Sequence, residues 1–364
     1  MRLLHVADLH LERPFRWLGH VRGQARRQEL RDALARVIVL AQDRQVDALC
    51  IAGDLYEREN TPPAIGDFLQ AEFAKLDPMP VLIAPGNHDY FSPGCLYDRV
   101  SWSPNVHVFR EPTMQPFELS GGMVWGAAFT GPERHDSPLR DFAAPASGVQ
   151  VGLFHANVVA GGESSVYGPL QVSEIQSAGL QFAMLGHIHA GCLDRNCRFA
   201  YPGSLEPLDV SEVGPRWAHL IDAKESSCEV EQIPIARRQV LADEIDVSAL
   251  ATRQQLIDLI AARRAAWQAC DVSLRVRGVL QGELAANPAL ISEELREFDV
   301  ALEILAEPFP DLDALASQAT TLGLFVRTVQ ASIQHAADEA EKARWQDVLL
   351  AGVAAFKGRQ EFLL

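Results

Sequence analysis

Leu3-Leu4-His5-Val6-Ala7-Asp8-Leu9-His10 begins as a short, mostly apolar run and stops at an acid and an imidazole. The run is too short for a helix, and its apolar residues suit a buried strand that ends abruptly in polar chemistry. Four more segments have the same form. They are 48–52 before Gly53-Asp54, 81–84 before Gly86-Asn87-His88-Asp89, 149–154 before His155, and 182–185 before Gly186-His187-Ile188-His189. Helical periodicity fills the first two gaps, over 27–44 with Leu30, Leu34, Val37, Ile38 and Ala41 on one face, and over 64–76. Strand, helix, strand, helix, strand predicts an α/β sheet with buried central strands.

Nearly every strand-terminal loop of this region carries a metal-ligand type: Asp8 and His10, Asp54, Asn87, His88 and Asp89, His155, then His187 and His189. Open α/β sheets place their sites at the carboxyl ends of adjacent strands, which is where these residues fall. The set is oxygen and imidazole without sulfur, a combination suited to Mn²⁺, Fe²⁺ or Zn²⁺. A carboxylate such as Asp54 can bridge two ions at the spacing used in phosphoryl displacement. A lone G-D or D-x-H is ordinarily a turn or a cap. All five pieces in this order, each after its own strand, are not explained that way. His5, His20, His107, His135, His219 and His335 fall outside the pattern and read as ordinary surface or core histidines.

The chain has 364 residues, 48% hydrophobic and 22% charged, and no long uninterrupted apolar run, which excludes a membrane span and wholesale disorder. Its formal charge of −16 excludes a broad basic surface for nucleic acid, so attraction for an anionic substrate must come from a local site. Cys50, Cys95, Cys192, Cys197, Cys228 and Cys270 contain no C-x-x-C pair, which argues against a disulfide framework or thiolate zinc site. With no leader-like opening, reduced thiols imply a cytoplasmic protein. Beyond a boundary near 232–240, strand 239–245, helix 252–269, strand 272–280, a short helix near 292–298 and strand 300–305 form a βαβαβ unit. Pro308 and Pro310 then precede a helical tail carrying Leu315, Leu322, Phe325, Val326, Val329, Ile333, Trp345, Val348, Leu349, Val353 and Phe356.

The ordered set D-x-H, G-D, G-N-H-D, H, G-H-x-H resembles the calcineurin-like metallophosphoesterase superfamily. Leu4-His5-Val6-Ala7-Asp8-Leu9-His10-Leu11 and Tyr201-Pro202-Gly203-Ser204 resemble its SbcD/YhaO branch of DNA-repair exonucleases. The resemblance implies a β-sandwich flanked by helices (αββα) over 1–235, a small α+β capping domain over 236–306 and a helical C-terminal segment over 307–364. It assigns Asp8, His10, Asp54 and His189 to one ion and Asp54, Asn87, His155 and His187 to the other, most simply Mn²⁺. His88 becomes the general acid and Asp89 the residue that orients it. Three residues after Asp54, archaeal and eukaryotic relatives carry a His, whereas this chain has Glu57; bacterial members often have an acid there. The residue bears on the balance of exonuclease and endonuclease action.

The implied activity is a metal-dependent DNA exonuclease working with an SMC-like ATPase, with a homodimer also implied. Cleavage of a small or cyclic-nucleotide diester, and a non-catalytic scaffold, are the alternatives. Tyr90 and Phe91 could stack on a base or pack the loop, and Arg275 and Arg277 share a strand face that could meet phosphate or solvent.

Overall fold

β1 (Arg2–Val6), β2 (Ala48–Ile51), β3 (Val81–Ile83) and β4 (Val106–Val108) run parallel, side by side in that order, in the computed structural model. The structure describes residues 1–15, 18–161, 163–267, 270–296, 298, 300–308 and 312–356. Side chains alternate across these strands with period two. Leu4, Val6, Leu49, Ile51, Val81 and Ile83 face a helical layer, while Leu3, Ala48, Cys50 and Leu82 face the opposite way. The helical layer is α1 (Gly19–Asp43), contributing Leu30, Leu34, Val37 and Ile38, and α2 (Ala64–Ala74), contributing Ile65, Leu69 and Phe73. A four-residue helix α3 (Leu96–Arg99) buries Leu96 and Tyr97 at the same layer.

A second sheet follows. β5 (Gln115–Leu119), β6 (Gly122–Ala127), β7 (Val149–His155), β10 (Phe182–Gly186), β12 (Phe199–Tyr201) and β11 (Cys192–Asp194) lie in that spatial order, with the four central strands parallel. A two-strand ribbon, β8 (Asn157–Val158) with β9 (Pro169–Leu170), and helix α4 (Val172–Ser177) interrupt the sequence between β7 and β10. Val149, Val151, Leu153 and Met184 pack inward against Leu3, Cys50 and Leu82; Phe154, Ala183 and Leu185 pack outward with Ile175 of α4. β13 (Trp217–Ala223) and β14 (Cys228–Pro234) then return to the first sheet, antiparallel, beside β1. The result is helices, sheet, sheet, helix, the layered α/β arrangement that the resemblance implied.

Sequence periodicity alone did not reveal the edges. α1 begins at Gly19, eight positions before the expected 27, because its first two turns carry no apolar stripe. Arg26 is instead buried there, donating to Glu29 and to the Pro207 carbonyl. His5 and His219 sit directly opposite each other on β1 and β13, fully buried between the sheets.

The described residues divide into two compact units. The first is Met1–Asp243 with Arg263–Leu274 and Phe298–Ala301; the second is Glu244–Ala262, Arg275–Glu297 and the described part of 302–364. After β14 the chain forms β15 (Val240–Asp246), α5 (Arg253–Trp267), β16 (Asp271–Arg277), β17 (Val279–Leu280), α6 (Gly282–Ala286), α7 (Ala289–Glu294), β18 (Val300–Ile304) and β19 (Glu307–Pro308). The short helix starts at Ala289, earlier than expected, because Pro288 supplies a preset φ at its N-terminus. Gly278, at φ +108°, splits the expected 272–280 strand into β16 and β17. Arg275 and Arg277 are exposed, as alternation predicts, but both are paired. Arg275 Nε lies 3.0 Å from Glu303 and Arg277 Nε 2.8 Å from Glu244. In the tail, α8 (Leu312–Ser317), α9 (Thr321–Gln334) and α10 (Glu339–Phe356) bury Val326, Val329, Leu349 and Val353 against one another, with Phe325, Ile333 and Trp345 at the margin.

Candidate metal centre

All the predicted ligands lie where the parallel strands end. Asp8 and His10 follow β1, Asp54 follows β2, Asn87 follows β3, His155 ends β7, and His187 and His189 follow β10. Both sheets therefore feed one mouth. Backbone bonds join the loops: Asp8 N–H donates to the Gly53 carbonyl (3.1 Å), His10 N–H to the Asp54 carbonyl (2.9 Å), and Ala156 N–H to the Gly186 carbonyl (3.2 Å). The glycines in the motifs have a steric reason. A side chain on Gly86 would meet Asp54 and His155, and one on Gly186 would meet the Ala52 carbonyl of the facing sheet.

Three imidazoles present Nε2 to the centre because Nδ1 is already engaged. His10 Nδ1 lies 2.9 Å from Glu57, His189 Nδ1 lies 2.7 Å from Glu212, and His155 Nδ1 lies 2.9 Å from the Ala52 carbonyl. Fixing the second nitrogen in this way sets the tautomer of a metal-binding histidine. His10 Nε2 and His189 Nε2 come within 3.1 Å of each other, and Asp54 Oδ2 is 3.5 Å from both His10 Nε2 and His155 Nε2. Asp54 thus stands between the two predicted ligand sets. Asn87 Oδ1 lies 3.0 Å from His155 Nε2, and both Asp8 oxygens accept from His187 N–H. The His187 ring is edge-on to His155 at 5.3 Å, with Tyr167 4.9 Å on.

The electrostatics call for cations. Asp8 is fully buried and Asp54 is 2% exposed, and among the described residues neither pairs with a lysine or arginine. Burial raises the Asp8 carboxyl. Burial works in the same direction on Asp54, but His155, His10 and His88 outweigh it and leave that carboxyl below its ordinary value. Burial, with His155 adding to it, pushes His187 down to about 4. Two buried acids facing several imidazole nitrogens without a fixed cation fit divalent metal binding. Asp8, His10 and His189 form one cluster with convergent ligand atoms, and Asp8, Asp54 and His155 another.

Backbone conformation marks the same residues. Asp8 (φ 52°), His10 (45°), Asp54 (52°) and His187 (113°) are four of the nine non-glycine residues with positive φ among those described. Such conformations concentrate where a fold holds functional groups against their preference.

The two remaining predicted residues differ in role. His88 lies on the rim with its side chain 41% exposed, and Glu57 Oε2, 2.9 Å from its Nδ1, raises it to about 9. Asp89 makes no hydrogen bond to the His88 side chain among the described residues. It is fully buried; Oδ1 accepts Gly86 N–H (2.6 Å) and Asp54 N–H (3.2 Å), and Oδ2 accepts Leu55 N–H (2.7 Å) and Tyr97 O–H (2.5 Å). The carboxylate in contact with the His88 ring is Glu57, while Asp89 ties the G-N-H-D loop to the loop bearing Asp54. Tyr90 and Phe91 are covered by cations instead of free: Arg58 lies over Tyr90 at 4.1 Å and Arg110 over Phe91 at 5.1 Å.

Sequence reading missed Glu212, Tyr97 and Tyr167. Glu212 also accepts from Ser204 Oγ (2.7 Å) and Leu208 N–H (3.0 Å), which gives the Tyr201-Pro202-Gly203-Ser204 segment a structural purpose. The rule that a ligating histidine needs a partner for its second nitrogen calls for an acid, but no spacing says which one.

Residues 1–191 match the family described as Calcineurin-like phosphoesterase. The chain is 26% identical over 237 residues to "Uncharacterized metallophosphoesterase YhaO" of Bacillus subtilis, covering 61% of this chain and 57% of that protein. It is 30% identical over 274 residues to "DNA double-strand break repair protein Mre11" of Aeropyrum pernix, covering 68% and 64%. To one of the subunits of the nuclease SbcCD of Bacillus subtilis it is 24% identical over 269 residues, covering 62% and 66%. The matched stretch is thus less than two thirds of the length of each of these relatives. No described helix is long and apolar enough to cross a membrane.

Proposed function

Given that this chain belongs to the calcineurin-like phosphoesterase family, we propose that it is a dinuclear, Mn²⁺-dependent DNA exonuclease that works with an SMC-like ATPase. The observation that carries the proposal is the convergence of five strand-end loops, from two sheets, on Asp54 between two ligand sets. Asp8, His10 and His189 would hold one ion, and Asn87, His155 and His187 the other, with Asp54 shared. Two divalent ions supply the Lewis acidity that makes water a nucleophile at neutral pH and offsets charge on the phosphoryl oxygens.

The chain's own residues do the rest. His88, on the open side and raised to about 9 first of all by its hydrogen bond to Glu57, is suited to carry a proton to the departing oxygen. Glu57, Glu212 and the Ala52 carbonyl hold the ligand rings in the tautomers that direct Nε2 inward. Tyr167, 37% exposed beside His187, flanks the approach. DNA as substrate is supported by relatives named for double-strand break repair and for a nuclease, and by the opening D-L-H-L and Y-P-G-S segments.

The test is nucleotide release from end-labelled duplex and single-stranded DNA with Mn²⁺, Mg²⁺ or EDTA, alongside His88→Ala and a small chromogenic phosphodiester. The proposal expects Mn²⁺-supported DNA cleavage that EDTA and His88→Ala abolish. Cleavage of the small diester alone, unchanged when an SMC-like ATPase is added, would replace it with a small-molecule phosphodiesterase. No cleavage and no bound metal would leave a scaffold.

A further inference from the structure

We propose that the end of the sandwich opposite the metal mouth carries a site for inorganic phosphate, built from Arg195 and Arg198 and made selective by Glu225. Two hairpins meet there. The turn 195–198 joins β11 and β12 at one edge of the second sheet, and the turn 224–227 joins β13 and β14 at one edge of the first. Between them lies a cavity of about 260 Å³, lined by both arginines, Gln181, Glu225, Ser226 and Ser227. The cavity adjoins the start of β10, whose other end feeds the metal centre, so a strand length of roughly 15 Å lies between the two sites. Nothing in the proposal depends on what the metal centre cleaves.

In a chain with 48 acidic side chains against 32 lysines and arginines, an arginine without an acid is the exception. Arg2 and Arg44, at the same end of the sandwich, pair with Asp222 and Glu231. Neither Arg195 nor Arg198 forms an ion pair among the described residues, with Glu225 or any other acid. The acid nearest in sequence is occupied: Asp194 Oδ1 accepts the N–H groups of Asn196 (3.0 Å) and Cys197 (2.8 Å), which closes the turn. Arg195 Nη2 donates to the Val230 carbonyl across the two hairpins (2.9 Å), which fixes the guanidinium and leaves Nε and Nη1 for a ligand. The Arg198 side chain makes no hydrogen bond among the described residues. Gln181 Oε1 accepts Gln150 N–H (2.5 Å), so its NH₂ is the group left to donate. Guanidinium forks match the oxygens of a tetrahedral anion. Glu225 narrows the choice of anion. An ionised carboxylate only accepts, so it opposes sulfate, which carries no proton, and accepts from the P–OH of hydrogen phosphate. A phosphate monoester loses its last proton near pH 6 and at pH 8 is opposed as sulfate is.

The experiment is calorimetry on the full chain at pH 8 and constant ionic strength, titrating sodium phosphate, sodium sulfate or a deoxynucleoside 5′-monophosphate, with Mn²⁺ and again with EDTA. In EDTA the wild type should bind phosphate with a Kd of roughly 1 mM or tighter, and roughly tenfold more tightly than sulfate or the nucleotide. Arg198→Gln removes a charge without breaking a contact within the protein, and should weaken phosphate binding by roughly tenfold or more. Arg195→Lys keeps the charge but loses the fork, so its affinity should fall between those two. Glu225→Gln should bring sulfate within about threefold of phosphate, because an amide can donate where the carboxylate cannot. Phosphate should also raise the Tm in EDTA for wild type and not for Arg198→Gln, since a bound anion ties the two hairpins together. Circular dichroism checks that each variant is folded. The proposal is overturned if the wild type binds no phosphate, if binding vanishes in EDTA and so belongs to the metal centre, or if Arg198→Gln binds as tightly as wild type. Equal wild-type affinity for sulfate, or for the nucleotide, would refute inorganic phosphate as the occupant and Glu225 as the selector.

Discussion

Replacing Asp89 by Asn separates two roles for a residue that looks catalytic in the sequence. The carboxylate accepts four donors in a fully buried setting: Gly86 and Asp54 N–H on one oxygen, Leu55 N–H and Tyr97 O–H on the other. Asn retains one oxygen, so whichever way the amide turns, its NH₂ faces two donors. At about 1–3 kcal/mol per orphaned buried donor, the substitution should cost about 4 kcal/mol, a large share of a typical stability of about 5–15 kcal/mol. Tyr97→Phe removes one donor and should cost about 2 kcal/mol. In the double variant the amide can turn its NH₂ toward the vacated hydroxyl, so the costs should fall short of additivity by about 1–2 kcal/mol. Urea unfolding in EDTA, followed by tryptophan fluorescence, measures all three. Because Asp89 holds Asp54 and Gly86, Asp89→Asn should also weaken Mn²⁺ binding, and added Mn²⁺ should restore kcat. A loss under about 1 kcal/mol, or a kcat defect at unchanged Mn²⁺ affinity, would refute the structural role and return Asp89 to orienting His88.

Three further outcomes are expected. Burial pushes His219 down to about 4 and His5 well below its ordinary value, so both stay neutral in the fold while their unfolded forms protonate near pH 6.5. Stability should be whole above that pH and fall toward pH 4, by about 2 kcal/mol for His219 between pH 7.5 and 5. An equal acid-induced fall in the urea midpoint of His219→Leu would count against this. Gly86→Ala drives a methyl group toward Asp54 and His155 and should cost about 1–3 kcal/mol with loss of Mn²⁺ binding, read by denaturation and dialysis. Mn²⁺ at a hundredfold excess over Kd should stabilise by about 2.7 kcal/mol per site, reversed by EDTA, and an unmoved Tm would argue that no ion is held.

Most of the candidate centre was legible because each expected ligand follows a short apolar strand, and a strand end fixes where its next residues go. Asp8, Asp54, His155 and His187 needed only that rule. Glu212 was not legible, because it reaches His189 across 23 residues through a loop without periodicity. Tyr97 was hidden for a related reason: its buried hydroxyl reads from sequence as one more aromatic on a short helix. The runs at 149–154 and 182–185 were legible as strands, but their grouping into a second sheet came from resemblance, since its edge strands β5 and β11, like β14 at the edge of the first sheet, have mixed patterns that show no clean apolar run. Arg275 and Arg277 were placed correctly by alternation, yet their neutralisation by Glu303 and Glu244 depends on strands paired across the sheet.

The left-handed backbone at Asp8, His10, Asp54 and His187 has a consequence for descent as well as for chemistry. Each such residue costs about 1–2 kcal/mol that glycine would not incur, so a copy of this gene no longer selected for catalysis can gain heat resistance by discarding its own centre. His187→Gly, at φ 113°, should outlast the wild type when both are heated in EDTA and lose that lead once Mn²⁺ is added. Among descendants of such a protein, the inert ones would be the hardier.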